Sequence, residues 1–179
     1  MLNTGVSIRK TTVTTHLYFR TVPNADSAST GGRTPNREYL SELVARCDDH
    51  TIVEIVDDLL WSKTIPAPRP LREPQIGTIQ LQVREPICRE RFILADALVT
   101  IAEVMVDESL GWAMRVGANA EAAVAAAVLD GWLAGTDGDH AAKTKTIDEL
   151  KSLDRVNDYA INLRRREVLA TAIEFEELD

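Results

Sequence analysis

The residues whose types and spacing could do chemistry are few in this chain. Arg84, Arg89 and Arg91 lie within eight positions of one another. Guanidinium forks so placed suit a phosphate or a partner's carboxylate, although a solvated hairpin connection would look the same. Arg164-Arg165-Arg166 falls near a predicted helix C-terminus, where cations complement the macrodipole. His16, His50 and His140 are far apart, and Cys47…His50 is a single pair across a predicted break. A metal site needs convergent ligands, so no metal is expected. Asp48-Asp49 and Asp57-Asp58 are acidic pairs, but neighbours at i and i+1 on a helix do not face each other. No phosphate-binding GxxxxGK[ST] loop, GxGxxG turn or GxSxG elbow occurs. The residues alone give no catalytic constellation.

Composition narrows the setting. The chain has 179 residues, 45% hydrophobic, with 20 Lys+Arg against 28 Asp+Glu for a net charge of −8. That length suits one domain with a sizeable core. No apolar run reaches the ~18–20 residues of a membrane span. Two cysteines, Cys47 and Cys88, make no disulfide framework, so reduced thiols and a cytoplasmic location are expected. The acidic balance argues against a nucleic-acid partner. Charge is uneven: residues 1–37 carry Arg9, Lys10, Arg20, Arg33 and Arg37 against Asp26, which is +4 and leaves −12 for the rest. Residues 1–35 are rich in Ser and Thr and lack helical periodicity. They read as a poorly ordered leader before a single domain at 36–179. Transit peptides share this composition, and a misassigned start codon would too.

Patterning then supplies the elements. Asn36 can cap a helix whose Tyr39, Leu40, Leu43, Val44 and Cys47 form one stripe. Thr51-Ile-Val-Glu54 reads as a capping box opening a second helix with Ile52, Val53, Val56, Leu59 and Leu60. Pro66, Pro68, Pro70 and Pro74 predict an extended connector with no helix or central strand. Strands are expected at Gly77–Val83, Leu98–Val106 and Leu110–Val116, in an antiparallel meander. Asn119 can cap an Ala/Val-rich helix, Ala120 to Ala134, buried against the sheet or another chain and ended by Gly135. A second capping box, Thr146-Ile-Asp-Glu149, opens a last helix striped by Ile147, Leu150, Leu153, Val156, Ala160 and Leu163. The fold class is α+β: an N-terminal helical hairpin, a three-stranded antiparallel sheet and two C-terminal helices.

The order of residues resembles one known family. Arg84 to Thr100 (REPICRERFILADALVT), Ala102-Glu103-Val104, Leu110-Gly111-Trp112, Gly117 and an Ala-rich helix ending Leu129-Asp130 are similar to PhnG, the small G subunit of the carbon–phosphorus lyase core complex. Arg84, Phe92, Asp96, Thr100, Leu110, Gly111, Gly117 and Asp130 occupy matching positions. Arg37 to Ala45 is similar to the family's opening helix, and Glu167 to Phe175 to its closing segment. The family's Gly-Gly-Thr-Gly turn is Pro86-Ile87-Cys88-Arg89 here, so no positive φ is expected there. Its Arg-Asp-Lys-x-His is Ala118-Asn119-Ala120-Glu121-Ala122, and its Arg before the closing Ile-acid-Phe is Ala172.

The resemblance implies a subunit with no complete active site of its own. It would support formation of α-D-ribose 1-methylphosphonate 5-triphosphate from ATP and methylphosphonate, releasing adenine. The partners implied are I-, H-, J- and L-type subunits in a symmetric hetero-oligomer, which would hold the ATP and an iron–sulfur cluster. Arg84, Arg89 and Arg91 are the candidate anion or partner contacts. Trp132, Ile173, Phe175 and Leu178 are the candidate subunit interface. Two alternatives stay open: a homodimeric binding or regulatory module, and a phosphate-ester-binding enzyme using the three arginines.

Overall fold

A computed structural model describes residues 36–85 and 88–170. The leader at 1–35 and the tail holding Ile173, Phe175 and Leu178 lie outside the described residues. Helices α1 (Arg37–Arg46) and α2 (Asp49–Trp61) are present as expected, but each packs against the later Ala-rich helix more than against the other, which corrects the expected hairpin. Asn36 caps α1, its side chain accepting from the Tyr39 N–H at 2.9 Å. The α2 start corrects the expected capping box. Asp48 takes the Thr51 N–H at 3.0 Å, so the helix begins before Thr51 can cap it.

The sheet has four strands: β1 (Arg69–Pro70), β2 (Gln75–Arg84), β3 (Arg91–Val106) and β4 (Ser109–Val116). The added strand, β1, sits inside the proline connector. Arg69 and Pro70 pair with Met105 and Val104. Proline is tolerated there because β1 lies at the sheet edge. All pairings are antiparallel. β4 also pairs at Val104 and Met105, so β1 and β2 must share one edge of β3 and β4 takes the other.

β3 is seven residues longer than its alternation suggests. Its outer part, Arg91 to Leu98, pairs only with β2 and projects as a two-stranded ribbon. A bulge at Leu81/Gln82 shifts the register, which is why Phe92-Ile93-Leu94 shows no period of two.

α3 (Ala120–Ala134) lies across the inner face of the sheet, capped by Asn119 through the Ala122 N–H at 3.1 Å. Its burial comes from within this chain: β3, β4, α1 and α2 cover Ala122 to Leu133, with only Val124 left half-buried. The contact with β4 is backbone-close. A Cβ on Gly111 would lie 2.0 Å from the Ala127 carbonyl oxygen and 2.9 Å from the Gly131 nitrogen. Only glycine fits there.

α4 (His140–Ala170) also starts earlier than expected. Asp139 accepts the Ala141 and Ala142 N–H groups at 2.8 and 3.2 Å, and Thr146 is buried mid-helix. Its stripe divides. Ile147 and Leu150 are buried and Leu153 half-buried, while Val156 and Leu163 are exposed. Arg46 ties α4 down by pairing with Asp154 at 2.6 Å and with Asp158, and the Asn157 amide donates to the Arg46 carbonyl at 3.0 Å.

Candidate partner-binding surface

Two polar locks set the sheet against the helices. In the first, Arg37 at the start of α1 donates through Nη2 to Asp130 Oδ2 at 2.6 Å and to the Leu110 carbonyl at 2.6 Å. Ser41 Oγ gives a bond to Asp130 Oδ1 at 2.7 Å, and the Trp112 N–H gives one to Oδ2 at 3.1 Å. Burial pushes the Asp130 carboxyl upward in pKa. The hydrogen bonds from Arg37, Ser41 and the Trp112 N–H outweigh that and hold it below its ordinary value.

In the second lock, Arg115 on β4 turns inward. Nε meets Asp49 at 2.8 Å, and Nη1 and Nη2 reach the Val44 and Cys47 carbonyls at 3.2 and 2.5 Å. These bonds cap the C-terminal end of α1, where the Val44 carbonyl also accepts the Cys47 N–H at 3.4 Å. Thr100 adds a bond to the Gly117 carbonyl at 2.8 Å, and Gly117 takes φ 103° to leave the sheet. An arginine inside the otherwise apolar run Leu110–Val116 was the sequence signal for the second lock.

Lys143 closes the far end of α3, donating to the Gly135 and Asp137 carbonyls at 2.7 and 2.6 Å. Burial lowers its pKa, with Asp137 and Asp107 opposing. Trp132 lies beneath it, the ammonium 5.8 Å from the ring centre, and is 3% exposed. Trp132 is therefore part of the chain's own core, not of an exposed interface.

The three candidate arginines do come together. Arg84 and Arg91 are direct cross-strand partners at the ribbon's outer end, with Arg89 in the turn beside them, and all three are exposed. Arg89 takes φ 57°, which corrects the expectation of no positive φ: the short reversal imposes it despite the absence of glycine. Glu85 accepts from the Cys88 N–H across the same turn. Beside the arginines lies a surface the sequence reading passed over. Phe92, Ile93, Leu94 and Leu98 on the ribbon are about half exposed, at 48, 55, 60 and 45%. On the outer face of β4, Leu110, Trp112 and Val116 are exposed as well. Trp61, at the end of α2, is 91% exposed. So many large apolar side chains left outside the core suit a protein that meets a partner.

Residues 35–178 match the family described as phosphonate metabolism protein PhnG. The chain belongs to the PhnG family. No curated protein matches it. The positions carrying the PhnG resemblance now divide by place. Arg37, Leu110, Gly111, Gly117, Thr100 and Asp130 build the locks and the close packing of this PhnG-family fold. Arg84, Phe92 and Asp96 stand exposed on the ribbon. Among the described residues no helix is long and apolar enough to cross a membrane, and no three His, Cys, Asp or Glu side chains group as metal ligands.

The two thiols differ sharply. Cys47 is buried, and burial with the nearby Asp48 charge pushes its pKa to about 11, against a smaller opposing effect of Arg115. Cys88 is exposed at the ribbon turn. At pH 7.5 a disulfide reagent is expected to titrate one thiol per native chain and two in denaturant. Equal rates for both native thiols would contradict this placement of Cys47.

Proposed function

We propose that this chain is an accessory, non-catalytic subunit of the carbon–phosphorus lyase complex. In that role it supports formation of α-D-ribose 1-methylphosphonate 5-triphosphate from ATP and methylphosphonate, with adenine released. The PhnG family membership supports the phosphonate setting. The observation that carries the subunit role is the set of large apolar side chains left exposed on the ribbon and on the outer face of β4. Arg37, Thr100 and Asp130 are engaged in the chain's own packing, while Arg84, Asp96 and several large apolar side chains stay outside it, as on a surface built to be covered. ATP and an iron–sulfur cluster belong, in this reading, to partner subunits of the I, H, J and L types. Arg84, Arg89 and Arg91 are then partner contacts at the ribbon end.

Co-expression of the tagged chain with its genomic neighbours tests this. The expected result is recovery of a hetero-oligomer containing I- and J-type subunits, with masses fixed by light scattering. Elution of the chain alone or as a stable homodimer, with no I- or J-like gene nearby, sinks the reading.

A further inference from the structure

Two hydrogen bonds fix which way the backbone of β3 faces along its outer half. At one end the Glu85 N–H takes the Glu90 carbonyl at 2.9 Å, so Glu90 faces β2. At the other the Gly117 N–H takes the Leu98 carbonyl at 2.8 Å, so Leu98 faces the edge that β4 occupies farther on. Residues of an antiparallel strand turn alternately to its two edges, and Glu90 and Leu98, an even number of positions apart, should share one. The bulge reconciles them: β2 passes from Leu81↔Ala95 to Gln82↔Ile93 and skips Leu94. Arg91, Ile93 and Asp96 therefore lie on one face and offer their N–H and C=O groups to the edge away from β2. Among the described residues no strand fills that edge from Arg91 to Leu98. A two-stranded ribbon is marginal in water without a third strand.

We propose that the outer half of β3 pairs with the same stretch of a second copy of this chain about a two-fold axis through Ile93, with Arg91 of each copy opposite Asp96 of the other. The step over Leu94 makes the match, because Arg91 and Asp96 then stand equally far from Ile93 along the ladder. A two-fold axis sets one residue of the edge against itself. Centred on Arg91 it opposes two guanidinium groups, and centred on Asp96 two carboxylates. Centred on Phe92, Ala95 or Ala97, it puts a charge against Ile93 or Leu98. A centre at Leu98 is closed, because Gly117 holds that carbonyl. Only the Ile93 register joins opposite charges, and it does so twice.

The surroundings agree with this register. Across β2 Arg91 meets Arg84, a like-charge pair, and the second copy's Asp96 offsets it from the other side. Ile93, 55% exposed, is covered by its own counterpart, and on the opposite face Phe92 comes against the small Ala95. The next pair along would set Leu98 against Arg89, where the second copy's turn begins. The pairing thus fills the open stretch without displacing β4. The contact given above to Arg91 is then made with a second copy. A two-fold pair of this kind can stand alone or sit within a larger symmetric complex, so the proposal does not rest on the subunit reading.

Sedimentation of the isolated full-length chain over a concentration series tests it. Wild type should associate to a dimer. Arg91→Asp and Asp96→Arg should each weaken that dimer by about tenfold or more, because symmetry turns both pairs into like-charge contacts at once. The Arg91→Asp change also places opposite charges across β2 at Arg84, so its effect does not come from a weakened ribbon. The double variant Arg91→Asp/Asp96→Arg restores opposite charges and should return to within about threefold of wild type. With Cys88→Ser as background, Ile93→Cys should give a cross-linked dimer on mild oxidation, whereas Phe92→Cys, opposite Ala95, should not. Wild type that stays monomeric, single variants that dimerise as tightly as wild type, or a double variant no tighter than the singles would each overturn the proposal. None of these outcomes bears on recovery of I- and J-type subunits, which co-expression reads separately.

Discussion

Gly111→Ala is expected to lower the melting temperature by about 10 °C. The added Cβ would lie 2.0 Å from the Ala127 carbonyl oxygen and 2.9 Å from the Gly131 nitrogen, both backbone atoms of α3. No rotamer relieves such a contact, so α3 must lift from β4 along much of its length. Overpacking commonly costs ~1–3 kcal/mol, and a backbone clash belongs at or above the top of that range. About 4 kcal/mol corresponds to ~10 °C in a chain of this size. Gly77→Ala is the control, because nothing lies within 4 Å of a Cβ there. Its melt should move by no more than about 2 °C, since a surface change away from packing is nearly neutral. Similar melts for the two variants would mean that α3 does not sit as close to β4 as described.

Asp130→Ala should cost about 3 kcal/mol, measured by urea denaturation at pH 7. It removes charge-assisted bonds to Arg37, Ser41 and the Trp112 N–H together, and such bonds contribute ~1.5–3 kcal/mol each before Arg37 regains water. Asp130→Asn retains the shape and isolates the charge. The folded carboxyl is held below its ordinary value of 3.8. Its charge-dependent contribution is therefore complete above the unfolded pKa and is lost as pH falls through the lower folded one. The stability gap between wild type and Asp130→Asn should be constant from pH 7 to about 5, then narrow as the pH falls below the ordinary carboxylate range. A gap that persists unchanged to pH 2 would show that shape, not charge, is what Asp130 supplies.

Much of this architecture could be read before any coordinates, and the failures share a cause. The caps at Asn36 and Asn119, the alternation of β2 and the buried character of α3 are local signals that tertiary packing reinforced. Thr51 and Thr146 also carry cap signatures, yet each sits inside a helix because an aspartate stands three and seven residues earlier, respectively, and caps first. A cap motif says where a helix can start, not that no better start precedes it. The outer half of β3 was illegible because the bulge breaks its period and because its side chains face no core. The apolar surface followed it into obscurity. Family order found Arg37 and Asp130 separately. Their 93-residue separation hid that they form one ion pair. Trp132 was misjudged because an aromatic on an Ala-rich helix looks the same whether its cover comes from within or from a neighbour.

The length of α4 has a consequence for how the chain can be observed. Arg46 holds the helix no farther than Asp158, and some twelve residues continue beyond it to Ala170. A free peptide of that length would scarcely be helical in water, because starting a helix is the unfavourable step. Here the packed turns around Ile147 and Leu150 supply the start, so the overhang needs only to extend it residue by residue. Its order should therefore decay outward as a gradient and not vanish in one transition. Far-UV ellipticity should soften on warming well before the core melts, and gain intensity when the outer turns find something to rest on.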